Sequence, residues 1–258
     1  MQEPVRAKKH LGQHFLTDEN IARRIANSLL ECNKDASIVE IGPGTGVLTK
    51  YLINQPNKFF ALDIDMESIA YLQKKYPEIK DKIIFSDFLE HDLNALVSEH
   101  FNIIGNFPYN ISSQIMFRVL EFHNRVDVVV GMFQKEVAER IAEKPGSKAY
   151  GILSVLLQAY YDIEYLFTVH ENVFNPPPKV KSAVIRLKRN NTVKLDCDEA
   201  LFIKVVKTAF GQRRKMLRNP LKPLITNKEF LQHEILNKRA EQLSVNDFVF
   251  ITNNIYLP

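Results

Sequence analysis

The chain contains only two cysteines, Cys32 and Cys197, and neither has a cysteine or histidine neighbour at metal-ligand spacing. A disulfide framework and a zinc site are therefore not expected. Long apolar runs are also missing: the longest, 126–133 and 152–157, fall far short of the roughly 20 residues that a membrane-spanning helix requires. The basic amino terminus, 1–10, leads into polar Gly12-Gln13-His14 where a secretory signal would need an apolar core. No membrane association is expected, and a cytoplasmic protein is. None of the histidines sits at a spacing suited to metal ligation or a nucleophilic triad. No metal is expected.

With 45% hydrophobic and 25% charged residues and no low-complexity tract, the composition is that of a folded globular protein. The net charge of +4 is compatible with a polyanionic partner without establishing one. At 258 residues the chain is long enough for one large domain and a smaller one. Nothing suggests more than a monomer.

From Ser37 onward, β-branched or apolar runs at 37–41, 58–63, 82–85, 101–104, 126–132, 163–169 and 182–187 alternate with amphipathic stretches at 66–76, 112–122 and 134–144. That alternation predicts an α/β domain, a mostly parallel sheet covered by helices, over residues 1–190. Beyond Arg189-Asn190-Asn191 the pattern turns helical at 198–210, 227–236 and 245–253, which predicts a small all-helical domain over 191–258.

Val39-Glu40-Ile41-Gly42-Pro43-Gly44-Thr45-Gly46 lies where a buried strand turns into a helix starting near Val47. Glycines there let the backbone approach a ligand closely. A nicotinamide fingerprint would need glycine at position 47, which is valine, so Gly42 and Gly44 favour an S-adenosylmethionine loop. Asp63, ending the second strand, is placed to accept from the ribose hydroxyls. Asp87, after the third, is placed to accept from the cofactor's adenine. A lone acid at a strand end is as readily a helix cap; the ordered series of loop, first acid and second acid is harder to dismiss.

Asn106-Phe107-Pro108-Tyr109, after the fourth strand, is the most specific motif. The exocyclic nitrogen of adenine is a poor nucleophile because its lone pair is delocalised into the ring. The Asn106 side-chain oxygen and the Phe107 carbonyl, aimed by Pro108, can accept both amine hydrogens and set the nitrogen in line with a sulfonium methyl. Tyr109 offers a face on which the base stacks. No strong base or metal is required, since the alkylated nitrogen is acidic enough to lose its proton to water. Positioning and fixed dipoles supply the acceleration. The plainer alternative is a strand-to-loop turn shaped by its proline and asparagine.

These motifs, with Gly12-Gln13-His14-Phe15-Leu16, resemble the ribosomal RNA adenine dimethyltransferase family. The segments Phe174-Asn175-Pro176-Pro177-Pro178-Lys179-Val180-Lys181-Ser182 and Ala209-Phe210-Gly211-Gln212-Arg213-Arg214-Lys215-Met216-Leu217-Arg218-Asn219 resemble its small-subunit branch. The resemblance spans essentially the whole chain. It implies a Rossmann-like class I methyltransferase sheet with a helical RNA- and ribosome-recognition domain. The implied reaction is dimethylation of two adjacent adenosines in the 3′-terminal hairpin loop of 16S RNA, on an immature 30S particle. A checkpoint role in subunit assembly goes with it. His14 and Leu16 would touch the cofactor together with Gly42, Asp63, Asp87 and Asn106. Many relatives carry Asn where His14 stands, which leaves a side-chain contact open and a backbone contact intact. The family usually carries Glu at the first acid, and a shifted register would put Ala61 there instead of Asp63.

For RNA, Phe174 is a candidate second wall for the flipped adenine, opposite Tyr109, or else packs beneath its loop. Lys179, Arg213, Arg214 and Lys215 are candidate phosphate contacts, with Arg6, Lys8, Lys9, Lys181 and Arg218 in the same basic clusters. Arg213 could instead pair with a carboxylate. Rival functions are the large-subunit, antibiotic-resistance branch, a non-catalytic assembly factor, and DNA adenine methylation. The last lacks a target-recognition domain.

Overall fold

The structure is a computed structural model and describes residues 5–30, 36–97 and 99–256. Cys32 and the first four residues of the basic amino terminus lie outside the described residues. The chain divides into one unit of Met1–Ala138 and Ile163–Arg189 and a second of Glu139–Asp162 and Asn190–Pro258.

In chain order the elements begin β1 (Phe15–Leu16), α1 (Glu19–Leu30), β2 (Ser37–Ile41), α2 (Thr49–Leu52), β3 (Phe59–Asp63), α3 (Met66–Lys75) and β4 (Ile83–Phe85). Then come α4 (Leu93–Leu96), β5 (Phe101–Asn106), α5 (Ser112–Glu121), β6 (Val126–Gln134), α6 (Lys135–Ala142) and α7 (Ile152–Gln158). The remainder is β7 (Tyr161–Val169), β8 (Phe174–Asn175), β9 (Ser182–Arg189), α8 (Glu199–Gly211), α9 (Arg218–Leu221) and α10 (Val245–Asn254).

Seven strands form one sheet in the order β4-β3-β2-β5-β6-β9-β7. Pairing is parallel from β4 through β6, and β9 runs antiparallel to β6. Central strands are apolar on both faces because helices cover both. Along β6, Val128, Val130 and Met132 enter a core with Ala22, Ile25, Ala26 and Leu29 of α1. Those α1 positions recur at the spacing of one helical face. The alternate β6 positions, Val129, Gly131 and Phe133, point the other way. β1 and β8 form a separate antiparallel pair, Phe15 opposite Asn175 and Leu16 opposite Phe174.

In the second unit α7, α9 and α10 pack on α8. Asp198 caps α8 by accepting from Leu201 N, and Ser244 and Asp247 form a capping box at α10. Tyr150, Phe210 and Phe248 make a chain of ring contacts at 6.3 and 6.1 Å. Residues 139–162, read from the sequence as part of 1–190, group instead with the helical residues: Leu153, Val155, Leu156 and Leu157 of α7 are buried and the helix packs on α8. The helix expected at 227–236 is absent. Short 3-10 turns, Phe230–Gln232 and Glu234–Asn237, stand in its place, because His233 between them is extended and its Nδ1 accepts from Ile235 N to start the second turn.

Candidate active site

The glycine loop leaves β2 with Gly42 and Gly44 at φ +63° and +54°, the left-handed region that a side chain disfavours. Space is short as well, since a Cβ on Gly44 would lie 2.8 Å from the Phe15 ring. Before the loop, Glu40 is buried and accepts from Thr49 Oγ1 at 2.7 Å, tying β2 to the first residue of α2. Burial pushes the Glu40 carboxyl up to about 8. The helix therefore starts at Thr49, slightly later than Val47.

Asp63 closes β3 and accepts from the main-chain nitrogens of Asp65 at 2.9 Å and Gly44 at 3.3 Å, joining the first acid to the loop. Burial raises its carboxyl to about 6. Ala61, the other register's choice, is buried inside β3 and does not line the cleft. Asp87 accepts from Leu89 N at 2.8 Å through Oδ1, and its Oδ2 has no partner among the described residues.

At the end of β5, Asn106 Nδ2 donates to the carbonyl of His14 at 2.7 Å. Phe107 anchors the turn: its ring is buried and meets Phe133 edge-on at 5.2 Å, and its nitrogen donates to Met132 O at 3.2 Å. A Cβ on Gly105 or Gly131 would fall 2.7 or 2.4 Å from that ring, so glycine on both strands makes the room for it. Pro108 brings the turn to the glycine loop, with its Cδ 3.9 Å from where a Gly42 Cβ would be. The Tyr109 hydroxyl shares a 2.5 Å hydrogen bond with Ser182 Oγ, and burial raises the phenol above its ordinary value.

The amino-terminal segment crosses this cleft. Lys8 pairs with the buried Asp65, which also accepts from Gln13 Nε2 at 3.1 Å, and the Lys8 nitrogen donates to Gln13 Oε1 at 2.8 Å. Further on, His14 stacks on Tyr109 with ring centroids 5.4 Å apart and 29° between planes, and its Nδ1–H donates to Pro176 O at 2.8 Å. Leu16 lies beneath the glycine loop, where a smaller pocket is lined by Leu16, Gly42, Gly44 and Asn106.

Of the sequence candidates, His14, Gly42, Gly44, Asp63, Asp87, Asn106, Phe107, Pro108 and Tyr109 all line one cleft. Phe174 does not. It is 4% exposed and paired with Leu16 inside the α1 core, which corrects the expectation of an open stacking wall. Lys179 is exposed, as are Arg214 and Lys215 in the second unit. Arg213 is partly occupied, donating to Lys148 O and standing 3.9 Å from Glu241. The sequence reading missed Ser182, Gln13 and the Lys8–Asp65 latch, together with Ile64 and Phe88, which add apolar lining. For Ile64 a signal existed in its place immediately after the first acid. For Ser182 there was none short of the fold.

The cleft's lining, apolar faces with a few converging polar groups, suits a nucleoside-bearing ligand. Its glycine cradle would be filled by any Cβ at Gly44, its two carboxylates stand ready for hydroxyl and amine donors, and Ile64 and Phe88 offer apolar faces. Those residues fit S-adenosylmethionine. The sheet and this cleft define a Rossmann-like, S-adenosylmethionine-dependent methyltransferase. The family model for ribosomal RNA adenine dimethylase matches residues 5–256. The chain is 58% identical to ribosomal RNA small subunit methyltransferase A of Flavobacterium johnsoniae, over 98% of this chain and 97% of that one. It is 57% identical to the protein of the same name from Cytophaga hutchinsonii, over 97% and 98%. Among solved structures, a dimethyladenosine transferase from Plasmodium falciparum superimposes with a TM-score of 0.77 at 24% identity, covering 92% of this chain and 95% of that one. At that identity the likeness speaks for the fold. The chain belongs to the ribosomal RNA adenine dimethylase family and is an adenine dimethyltransferase.

Among the described residues no helix is long and apolar enough to cross a membrane, and no group of three or more His, Cys, Asp or Glu side chains could hold a metal ion.

Proposed function

We propose that the chain dimethylates the exocyclic amines of two adjacent adenosines in the 3′-terminal hairpin loop of small-subunit RNA, on an immature 30S particle. The observation that carries this is the convergence of the Asn106–Tyr109 turn with Gly42, Gly44, Asp63 and Asp87 on one cleft. Bound S-adenosylmethionine supplies an electrophilic sulfonium methyl. Asp63 holds ribose hydroxyls and Asp87, through Oδ2, the cofactor's adenine amine. The Asn106 amide, its nitrogen engaged by the His14 carbonyl, presents Oδ1 to one hydrogen of the target amine, and the Phe107 carbonyl takes the other. Held this way, the nitrogen lone pair is turned out of the ring plane toward the donor. Tyr109, fixed by Ser182, supports the base. After transfer the nitrogen gives up its proton to water.

Small-subunit RNA is the favoured substrate because relatives at 57% and 58% identity over nearly their full length carry that name. Lys179, Arg214 and Lys215 are exposed and serve as phosphate contacts, with the second unit recognising the particle. Occupying a precursor until both adenosines are methylated makes the enzyme a checkpoint in the cytoplasmic assembly of the subunit. The test is to incubate the protein with labelled S-adenosylmethionine and either small subunits lacking the modification or large subunits, and then map the label. Two adjacent dimethyladenosines near the 3′ end of the small-subunit RNA are expected. Label in the large subunit would assign the resistance branch, and label in neither would assign a non-catalytic assembly factor.

A further inference from the structure

Asp87, the second acid, stands on a short turn after β4, and of residues 86–91 only Phe88 is buried. We propose that His91 is a positioning residue for the cofactor: its imidazole, bonded to Ser86, closes that turn and aims Asp87 Oδ2 at the adenine amine. His91 thereby sets the preference for adenine over a purine that lacks the amine. This rests on the reading of Asp87 as the acceptor of that amine.

The turn starts at Ser86, whose nitrogen donates to Asp63 O at 3.0 Å and keeps it beside the first acid. Over 87–91 the main chain then winds once. The Asp87 carbonyl accepts from Glu90 N at 3.1 Å and from His91 N at 2.8 Å, and Asp87 Oδ1 accepts from Leu89 N at 2.8 Å. A lone turn is the costly step in helix formation, because it fixes several residues for few hydrogen bonds. A further bond across its ends is what keeps it closed.

His91 supplies that bond and is itself held on two sides. Its Nδ1 shares a 2.8 Å hydrogen bond with Ser86 Oγ, joining the two ends of the turn. Its carbonyl accepts from Arg118 Nη2 at 3.0 Å, and Arg118 lies on α5, the helix that follows the Asn106–Tyr109 turn. Between these fixed ends, Asp87 has Oδ1 committed to Leu89 N and Oδ2 left for a donor in the cleft that Ser86 and Asp87 both line. Hydrogen bonds weaken steeply with angle. Opening the turn therefore costs the amine contact, while Ile64 and Phe88 still offer their apolar faces to the base.

The test compares S-adenosylhomocysteine with S-nebularinylhomocysteine, which carries hydrogen in place of the adenine amine. Calorimetry gives the affinity for each, and thermal melting reports folding. The wild type is expected to prefer S-adenosylhomocysteine by about tenfold or more, the worth of one hydrogen bond to a carboxylate. His91→Ala is expected to lose most of that preference by weakening S-adenosylhomocysteine alone. Ser86→Ala should do the same, with the double variant no worse than either. His91→Asn, whose amide oxygen stands where Nδ1 does and can accept from Ser86, is expected to restore the preference. His91→Phe, which keeps a ring without the nitrogen, is not. Wild-type preference in His91→Ala or in His91→Phe would overturn the proposal, and so would an equal weakening of both ligands. No preference in the wild type, or one that Asp87→Ala retains in full, would instead bring down the reading of Asp87 itself.

Discussion

The side-chain amide of Asn106 donates to the main-chain carbonyl of His14 across 2.7 Å. A carbonyl can only accept, so the amide nitrogen faces the amino-terminal segment and the oxygen faces away from it. The Asn106 amide is thus oriented by a residue 92 positions earlier in the chain. Gly12 shapes that segment with φ +65°, and a Cβ there would lie 2.6 Å from Asn110 Oδ1. Gly12→Ala is expected to shift the segment and misorient Asn106, lowering kcat by about tenfold or more, as small misplacements of reacting groups do. Single-turnover transfer measured beside cofactor affinity checks this, with the rate predicted to suffer more than the binding.

Asp65 is the segment's anchor. Its side chain is fully buried and accepts from Glu67 N, Ser68 Oγ, Gln13 Nε2 and Lys8 Nζ. Asp65→Ala removes the α3 cap and strands the other donors, a loss of about 1–3 kcal/mol in denaturant unfolding. Lys8→Ala, at the partly exposed end of the pair, is expected to cost less than about 1 kcal/mol.

Glu40 predicts a pH dependence of stability. Burial raises its carboxyl from 4.5 to about 8, so between those values the folded protein keeps a proton that the unfolded chain releases. Stability therefore falls as pH rises through that window and levels off above it. Glu40→Gln can still accept from Thr49 and cannot ionise. Its melting temperature is expected to exceed the wild type's at pH 8 and to lose this component of the slope.

Asp63 predicts a pH dependence of binding. Its carboxyl is raised to about 6 by burial, so below that value it is protonated and loses acceptor capacity for the ribose hydroxyls. Affinity for S-adenosylhomocysteine should weaken as pH drops through 6. Asp63→Asn should bind weakly throughout and show a flatter profile.

Much of the sheet was legible because strand signals are local: β2 was read at 37–41 and found at Ser37–Ile41, and the turn after β5 carried its own chemistry. Two-residue β1 and β8 carry no periodicity, and their pairing joins residues about 160 positions apart. It is that pairing that buries Phe174, so a proline-flanked aromatic looked exposed in one dimension and is core in three. α1 offered a signal in Ala22, Ile25, Ala26 and Leu29, muted by two alanines. The place of α7 and the break at His233 depended on partners outside any local window. Within the cleft, the loop, both acids and the turn were readable as motifs. The supports were not: Ser182 behind Tyr109 and Asp65 beneath the amino-terminal segment became visible only through hydrogen bonds between distant segments.

The central claim is that the Asn106 amide grips the amine of an unstacked adenine within the glycine-lined cleft. The most direct measurement is methyl transfer by Asn106→Ala to unmodified small subunits, with S-adenosylhomocysteine affinity determined on the same preparation. Transfer reduced on the order of a hundredfold or more with cofactor affinity nearly intact is the predicted result. An Asn106→Ala enzyme that methylates at the wild-type rate would contradict it.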